Sequence, residues 1–231
     1  MSQRRIVVTG AASGLGLATV ELLAARGDAI AVLDLKPPPE TAPEVADVRL
    51  VDLADSEAAA AAVREAAEGL GGLDAVIACA GTDACGNLAD VTAADWERVI
   101  AVNLIGTAAV VRAALPYLDA PGSRVVTVAS TLGLRALPAA TAYCASKFGV
   151  VGFSRALAAE TGGRPAVTCV MPGGMATSFF DGRDPQFQPG PDAQLNDPRN
   201  VAAAIAFALD QPPGCEVREL LVCPSNEASW P

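Results

Sequence analysis

The stretch from Ile6 to Leu23 constrains the fold more than any other. A β-branched run, Ile6-Val7-Val8-Thr9, passes into Gly10-Ala11-Ala12-Ser13-Gly14-Leu15-Gly16. An apolar-periodic segment with Leu17, Val20 and Leu23 follows. The pattern is a strand, a tight glycine-rich turn and a helix. Glycines let the backbone turn sharply and approach a pyrophosphate, and the helix N-terminus then presents free N–H groups and a positive dipole end. An ordinary strand–turn–helix junction would look similar locally, so the rest of the chain decides.

Further strand-like runs fall at residues 29–33, 48–51, 73–79, 124–129, 167–171 and 219–222. Between them lie helical patterns at 57–68, 95–116, 141–161 and 198–209. Ser56 can cap the first of these, Thr92 with Asp95 has the form of a capping box, and Asp197-Pro198 opens the last. Strands alternating with helices predict an α/β fold, a doubly wound parallel sheet. With 231 residues, 52% of them hydrophobic, the chain can bury one sizeable core, so residues 1–231 read as a single domain.

Composition excludes several functions. The formal charge is −10 and there is no run of Lys or Arg, which argues against nucleic acid and against an anionic membrane surface. No signal-like or spanning segment is read from the N-terminus, so the expected location is cytoplasmic, with no membrane partner. The six cysteines have no Cys-x-x-Cys spacing and read as small apolar residues. Histidine is absent, which removes imidazole chemistry and leaves no expected metal site.

Several polar residues stand at strand ends or inside helices. Asp34 closes the second strand, where a carboxylate can accept from ribose hydroxyls and repel a 2′-phosphate; a turn or capping role is the alternative. Neutral Leu35 follows, then Lys36 and three prolines that force an extended loop. Asn103 lies in mid-helix, where asparagine is unfavourable unless it faces solvent or has a task. Tyr143 and Lys147 are four apart on one helix and share a face. A cation beside a phenol favours the phenolate and brings its pKa toward working pH. Residues 178–197, with three prolines and three phenylalanines, read as a substrate lid.

Taken together, Thr9-Gly10-x-x-x-Gly14-x-Gly16, Asp34, Asp52-Leu53, Asn103, Ser130, Tyr143-x-Ala145-Ser146-Lys147 and Pro172-Gly173-x-x-x-Thr177 resemble the short-chain dehydrogenase/reductases over nearly the whole chain. The resemblance implies one Rossmann-type domain with about seven parallel strands. It implies an NAD-dependent oxidoreductase that interconverts a secondary alcohol and a ketone, as a homotetramer or homodimer. Tyr143 would pass the proton, Lys147 would lower its pKa and hold the nicotinamide ribose, and Ser130 would hold the substrate oxygen. Asn103 would anchor a water behind Lys147. The cofactor would lie against Gly10, Ser13, Gly14, Leu15, Gly16, Asp34, Leu35, Asp52, Leu53, Ala80, Gly81, Tyr143, Lys147, Pro172, Gly173 and Thr177. One stretch departs from the pattern: Ala78-Cys79-Ala80-Gly81 stands where the family usually has Asn-Asn-Ala-Gly.

Two other readings compete. A catalytically silent NAD(H)-binding sensor or scaffold would have little need of Asn103, Ser130, Tyr143 and Lys147 together. A sugar-nucleotide epimerase of the extended branch would need additional C-terminal length. The substrate itself is not legible: Leu132, Leu134, Leu137, Met175, Phe179 and Phe180 could line an apolar pocket, and Arg135 could meet an anionic group. The terminal Trp230 is expected to pack on a neighbouring subunit.

Overall fold

The computed structural model describes residues 3–227. Ala228-Ser229-Trp230-Pro231, including the expected contact of Trp230, lie outside the described residues.

Seven strands form one sheet: β1 (Arg5–Thr9), β2 (Ala29–Asp34), β3 (Asp47–Leu50), β4 (Ala75–Ala78), β5 (Arg124–Val128), β6 (Ala166–Pro172) and β7 (Glu219–Val222). Every pairing is parallel, in the order β3-β2-β1-β4-β5-β6-β7. The helices are α1 (Gly14–Ala24), α2 (Ser56–Leu70), α3 (Ala93–Ile100), α4 (Thr107–Ala114), α5 (Thr141–Thr161) and α6 (Pro198–Leu209).

The strands read as unbroken apolar runs because both faces of the sheet are covered. Successive side chains point to opposite faces, so each strand feeds two cores. Val7, Leu33, Val76, Val125 and Val167 pack with α2, α4 and α5. Ile6, Val8, Ile30, Val32, Ile77, Val126 and Val170 pack with α1 and α6. The strand order reverses between β1 and β4, and the carboxyl ends there open a crevice of the kind that takes ligands in such sheets.

The sequence boundaries hold to within two residues, with three informative differences. First, α2 is capped by Asp55, whose carboxylate accepts from Glu57 N at 3.1 Å and Ala58 N at 3.0 Å, rather than by Ser56. Second, the helix expected over 95–116 widens into a π-helical segment, Ala101–Gly106, between α3 and α4. Asn103 sits in that segment, 1% exposed, so a wider turn accommodates the residue that an α-helical interior resists. Third, the cysteines are mixed: Cys144 and Cys169 are buried as expected, but Cys215 is exposed.

The segment Ala93–Tyr117 is long and apolar enough to cross a membrane by length and composition alone. Its Val110, Val111, Ala113 and Ala114 are instead spent on the core against the sheet and α2.

Candidate active site

The crevice is a cleft of about 1360 Å³. Its wall contains all sixteen residues expected to hold the cofactor, together with Ser130. Of the expected site residues, Asn103 alone stands behind the wall.

At one end, the turn from β1 into α1 is packed too tightly for side chains. Gly10 has φ +67°, and a Cβ there would lie 2.6 Å from Ala80 Cα. A Cβ on Gly16 would lie 2.0 Å from Gly10 O. The α1 N-terminus differs from those of α2 and α6, which are capped by Asp55 and Asp197. Ser13 makes no side-chain cap and no acidic residue stands in the first turn of α1. Its N–H groups and dipole therefore face the cleft without an internal anion, which fits a pyrophosphate. Across the cleft, Thr177 comes within ordinary contact distance, 3.4 Å, of a Cβ built on Gly14.

Asp34 ends β2 with its carboxylate fixed by the backbone. Oδ2 accepts from Ala12 N at 2.9 Å and Oδ1 from Lys36 N at 3.2 Å. Lys36 itself is exposed and outside the cleft wall. Asp52 accepts from Ala54 N and is paired with Arg98 at 3.1 Å; the Ala54 N–H, then the guanidinium, hold its carboxyl below the usual carboxylate range.

At the other end, α5 brings Tyr143 and Lys147 against the carboxyl end of β5, where Ser130 follows. The Ser130 hydroxyl faces the Tyr143 phenol across the cleft wall and favours its ionised form. Burial pushes the phenol above its ordinary pKa, a rise that the Ser130 hydroxyl offsets only in part. Asp83 adds to the rise and Arg183 opposes it. Lys147 is 3% exposed and donates to Val128 O at 2.8 Å. Its Nζ lies 5.6 Å from the Tyr143 ring centroid. Burial pulls its pKa down to about 8, which still leaves most of the ammonium charged at neutral pH. Tyr143 and Lys147 both stand on α5. The two share a face, but Lys147 bonds a carbonyl rather than the phenol, and the net shift of Tyr143 is upward.

Asn103 is buried behind the wall and fully engaged through its amide. Its Oδ1 accepts from Thr82 N at 2.8 Å, and its Nδ2 donates to Thr82 O at 2.9 Å and to Ser146 Oγ at 3.0 Å. Both amide protons are used, so the side chain ties the loop after β4 to α5. Ala80 N is held by Thr9 Oγ1 at 3.3 Å. These two contacts brace the loop whose asparagines are replaced by Ala78 and Cys79. Cys79 stays a thiol, with burial pushing its pKa up to about 12.

Leu132, Leu137, Met175, Phe179 and Phe180 line the cleft as expected, but Leu134 packs instead with the core of Val150, Val151 and Met171. Arg135 is exposed and absent from the wall. Among the charged residues of the wall that sequence reasoning missed, three stand out. Asp83 and Arg183 form an ion pair of 2.9 Å, and Glu227 accepts from Gly174 N at 2.7 Å, directly behind the Pro172-Gly173 turn. A signal for Arg183 existed, since it is the single cation in residues 178–197. Nothing in the sequence marks Glu227, which reaches the site only because the chain after β7 folds back.

The chain is similar to known proteins over most of its length. The short chain dehydrogenase family matches residues 4–186. The chain is 36% identical over 227 residues to a cis-4-hydroxycyclohexanecarboxylate dehydrogenase of Sinomonas cyclohexanicum, covering 89% of each. It is 33% identical over 242 residues to a glycine betaine reductase of Emericella nidulans; that match covers 98% of this chain but spans only 19% of the relative. A short chain dehydrogenase from Mycobacterium paratuberculosis bound to NAD superposes with a TM-score of 0.82 at 26% identity, covering 95% of this chain and 96% of that one. One from Burkholderia cenocepacia in complex with NADP superposes with a TM-score of 0.80 at 29% identity, with the same coverage.

Proposed function

We propose that this chain, which belongs to the short chain dehydrogenase family of oxidoreductases, uses NAD to interconvert a secondary alcohol and a ketone, with Tyr143 as the proton donor and acceptor. The observation that carries the reading is the meeting of the Tyr143 phenol and the Ser130 hydroxyl in the wall of the cleft that also contains Lys147 and the glycine-rich turn. NAD supplies the hydride acceptor, or NADH the hydride, and no metal is needed.

The residues divide the remaining work. Gly10, Gly14 and Gly16 leave the space for the pyrophosphate, and Asp34 receives the adenosine ribose. Pro172, Gly173 and Thr177 border the nicotinamide end. In reduction, Tyr143 gives its proton to the carbonyl oxygen as charge develops there, and burial keeps the phenol protonated until then. Ser130 donates to the same oxygen. Lys147 uses one N–H on Val128 O and turns the others to the ribose; Gly81, where a Cβ would come within 3.5 Å of Nζ, keeps that path open. Its positive charge eases ionisation of Tyr143 in the oxidising direction. Asn103 positions these groups without touching substrate. Residues 178–197 close over the substrate, with Phe179 against Tyr143 at 5.7 Å between ring centroids. A homodimer or homotetramer completes the reading; Ile105 and Phe148, exposed at 49% and 45%, would be covered by it.

The test is a panel of secondary alcohols and ketones, including the 4-hydroxycyclohexanecarboxylate and threitol named for similar dehydrogenases, with NAD(H) and NADP(H) followed by nicotinamide absorbance. Turnover of at least one pair is expected. Tight NADH binding with no turnover of any compound would favour the silent cofactor-binding protein.

A further inference from the structure

We propose that Asp83 and Arg183 set the charge selectivity of this site: with Arg183 neutralised in place by Asp83, the site takes uncharged alcohols or ketones and turns away those that carry a carboxylate. The inference rests on the reading that the cleft at Tyr143 is the substrate site.

An arginine beside a substrate cleft is ordinarily the natural anchor for a carboxylate, because its planar fork matches two oxygens. Here one arm of the fork is already engaged by a carboxylate. Arg183 Nη2 donates to Asp83 Oδ2 at 2.9 Å, and the two side chains are only 15% and 8% exposed. The guanidinium lies over both lid aromatics, 4.8 Å from the Phe179 centroid and 4.6 Å from that of Phe180. Those contacts fix its position, since a cation held over two ring faces gains from each. Asp83 is anchored as firmly: Oδ1 accepts from Ala84 N at 2.7 Å, and Oδ2 also accepts from the Cys85 thiol at 3.2 Å. Burial, reinforced by Asp83, pushes Cys85 up to about 11, so it remains a donor.

The pair thus clasps the loop after β4 to the lid, beside Tyr143. A carboxylate entering there meets Asp83 at close range, and the nearest cation, Arg183, is already paired with it. Lys147 lies beyond Tyr143 and is bonded to Val128 O. The lid contributes further acids to the wall, Asp181 and Asp184. Beside Tyr143 and Ser130 the wall offers two hydroxyls and the apolar side chains of Phe179 and Leu132, which suit a neutral substrate.

The test uses the full chain with NAD bound and two non-reacting probes of nearly equal shape, cyclohexanecarboxylate and cyclohexanecarboxamide, titrated by calorimetry. Wild type should bind the amide at least about tenfold more tightly. Asp83→Asn keeps an acceptor for Arg183 but removes the charge, and should shift the ratio toward the carboxylate by at least about tenfold. Adding Arg183→Gln should abolish that gain. The same order is expected in kcat/KM for cyclohexanol against cis-4-hydroxycyclohexanecarboxylate. Preference of wild type for the carboxylate, or an equal effect of Asp83→Asn on both probes, would overturn the inference and leave the pair a structural clasp. Because binding is read without turnover, a shifted probe ratio in a protein that turns over no compound of the panel would uphold the charge selectivity and reject the dehydrogenase reading instead.

Discussion

Asp34 should make the protein prefer NAD to NADP by at least about a hundredfold in kcat/KM, roughly 2.7 kcal/mol. The carboxylate cannot swing aside to admit a 2′-phosphate, because its two oxygens are bonded to Ala12 N and Lys36 N at 2.9 and 3.2 Å. At about 5 Å and an effective dielectric near 20, each unit of phosphate charge is repelled by roughly 3 kcal/mol. Asp34 is half-buried, so solvent screens part of this, while the second charge on the phosphate restores part. No cation offsets it: Ser13 and Leu35 are neutral, and the exposed Lys36 side chain stands off the cleft wall. The assay compares kcat/KM for both cofactors with any working substrate, and Kd for NADH and NADPH by fluorescence. Asp34→Ser with Leu35→Arg should narrow the ratio by at least about tenfold or invert it, since it removes the repulsion and supplies a phosphate partner. Parity in the wild type would refute the reasoning and place Lys36 in the site.

Two further perturbations test the supporting structure. Asn103→Ala removes three hydrogen bonds and strands the Thr82 backbone groups, so it should cost about 2–4 kcal/mol in chemical denaturation; a loss below about 0.5 kcal/mol would show that the amide is not a brace. Lys147 has a folded pKa of about 8 against 10.5 for an ordinary lysine, so between those values the unfolded chain binds more protons and stability rises with pH. The burial penalty is full below about pH 8 and gone above about 10.5. Relative to Lys147→Met, the wild type should therefore gain about 3 kcal/mol across that window, and a pH-independent difference would contradict the assigned burial.

How much of this was legible in the sequence depended on whether a signal was local. The strands announced themselves because a sheet covered on both faces needs unbroken apolar runs such as Ile6-Val7-Val8 and Ala75-Val76-Ile77. The glycine turn was legible because no side chain fits at Gly16, and Asp34 because it closes a strand. What failed depended on side-chain direction or on distant contacts. Tyr143 and Lys147 share a helical face, yet spacing could not show that Lys147 Nζ turns to Val128 O. Asn103 was noticed as an oddity, but its partner Thr82 is 21 residues away in sequence and reached only through the fold. Asp83 and Arg183 are 100 residues apart, and neither belongs to a local pattern that would pair them. Asp55 rather than Ser56 caps α2, an ambiguity that two adjacent capping residues always carry.

The claim at the centre of this account is that Tyr143 transfers the proton. Tyr143→Phe removes the phenol hydroxyl that faces Ser130 and nothing else. With a ketone that the wild type reduces, kcat should fall by about 10²–10⁴-fold or more, while the Kd for NADH, measured by fluorescence on the same preparation, stays within about threefold. A variant that binds NADH normally and keeps more than about a tenth of the wild-type kcat would take Tyr143 out of the mechanism.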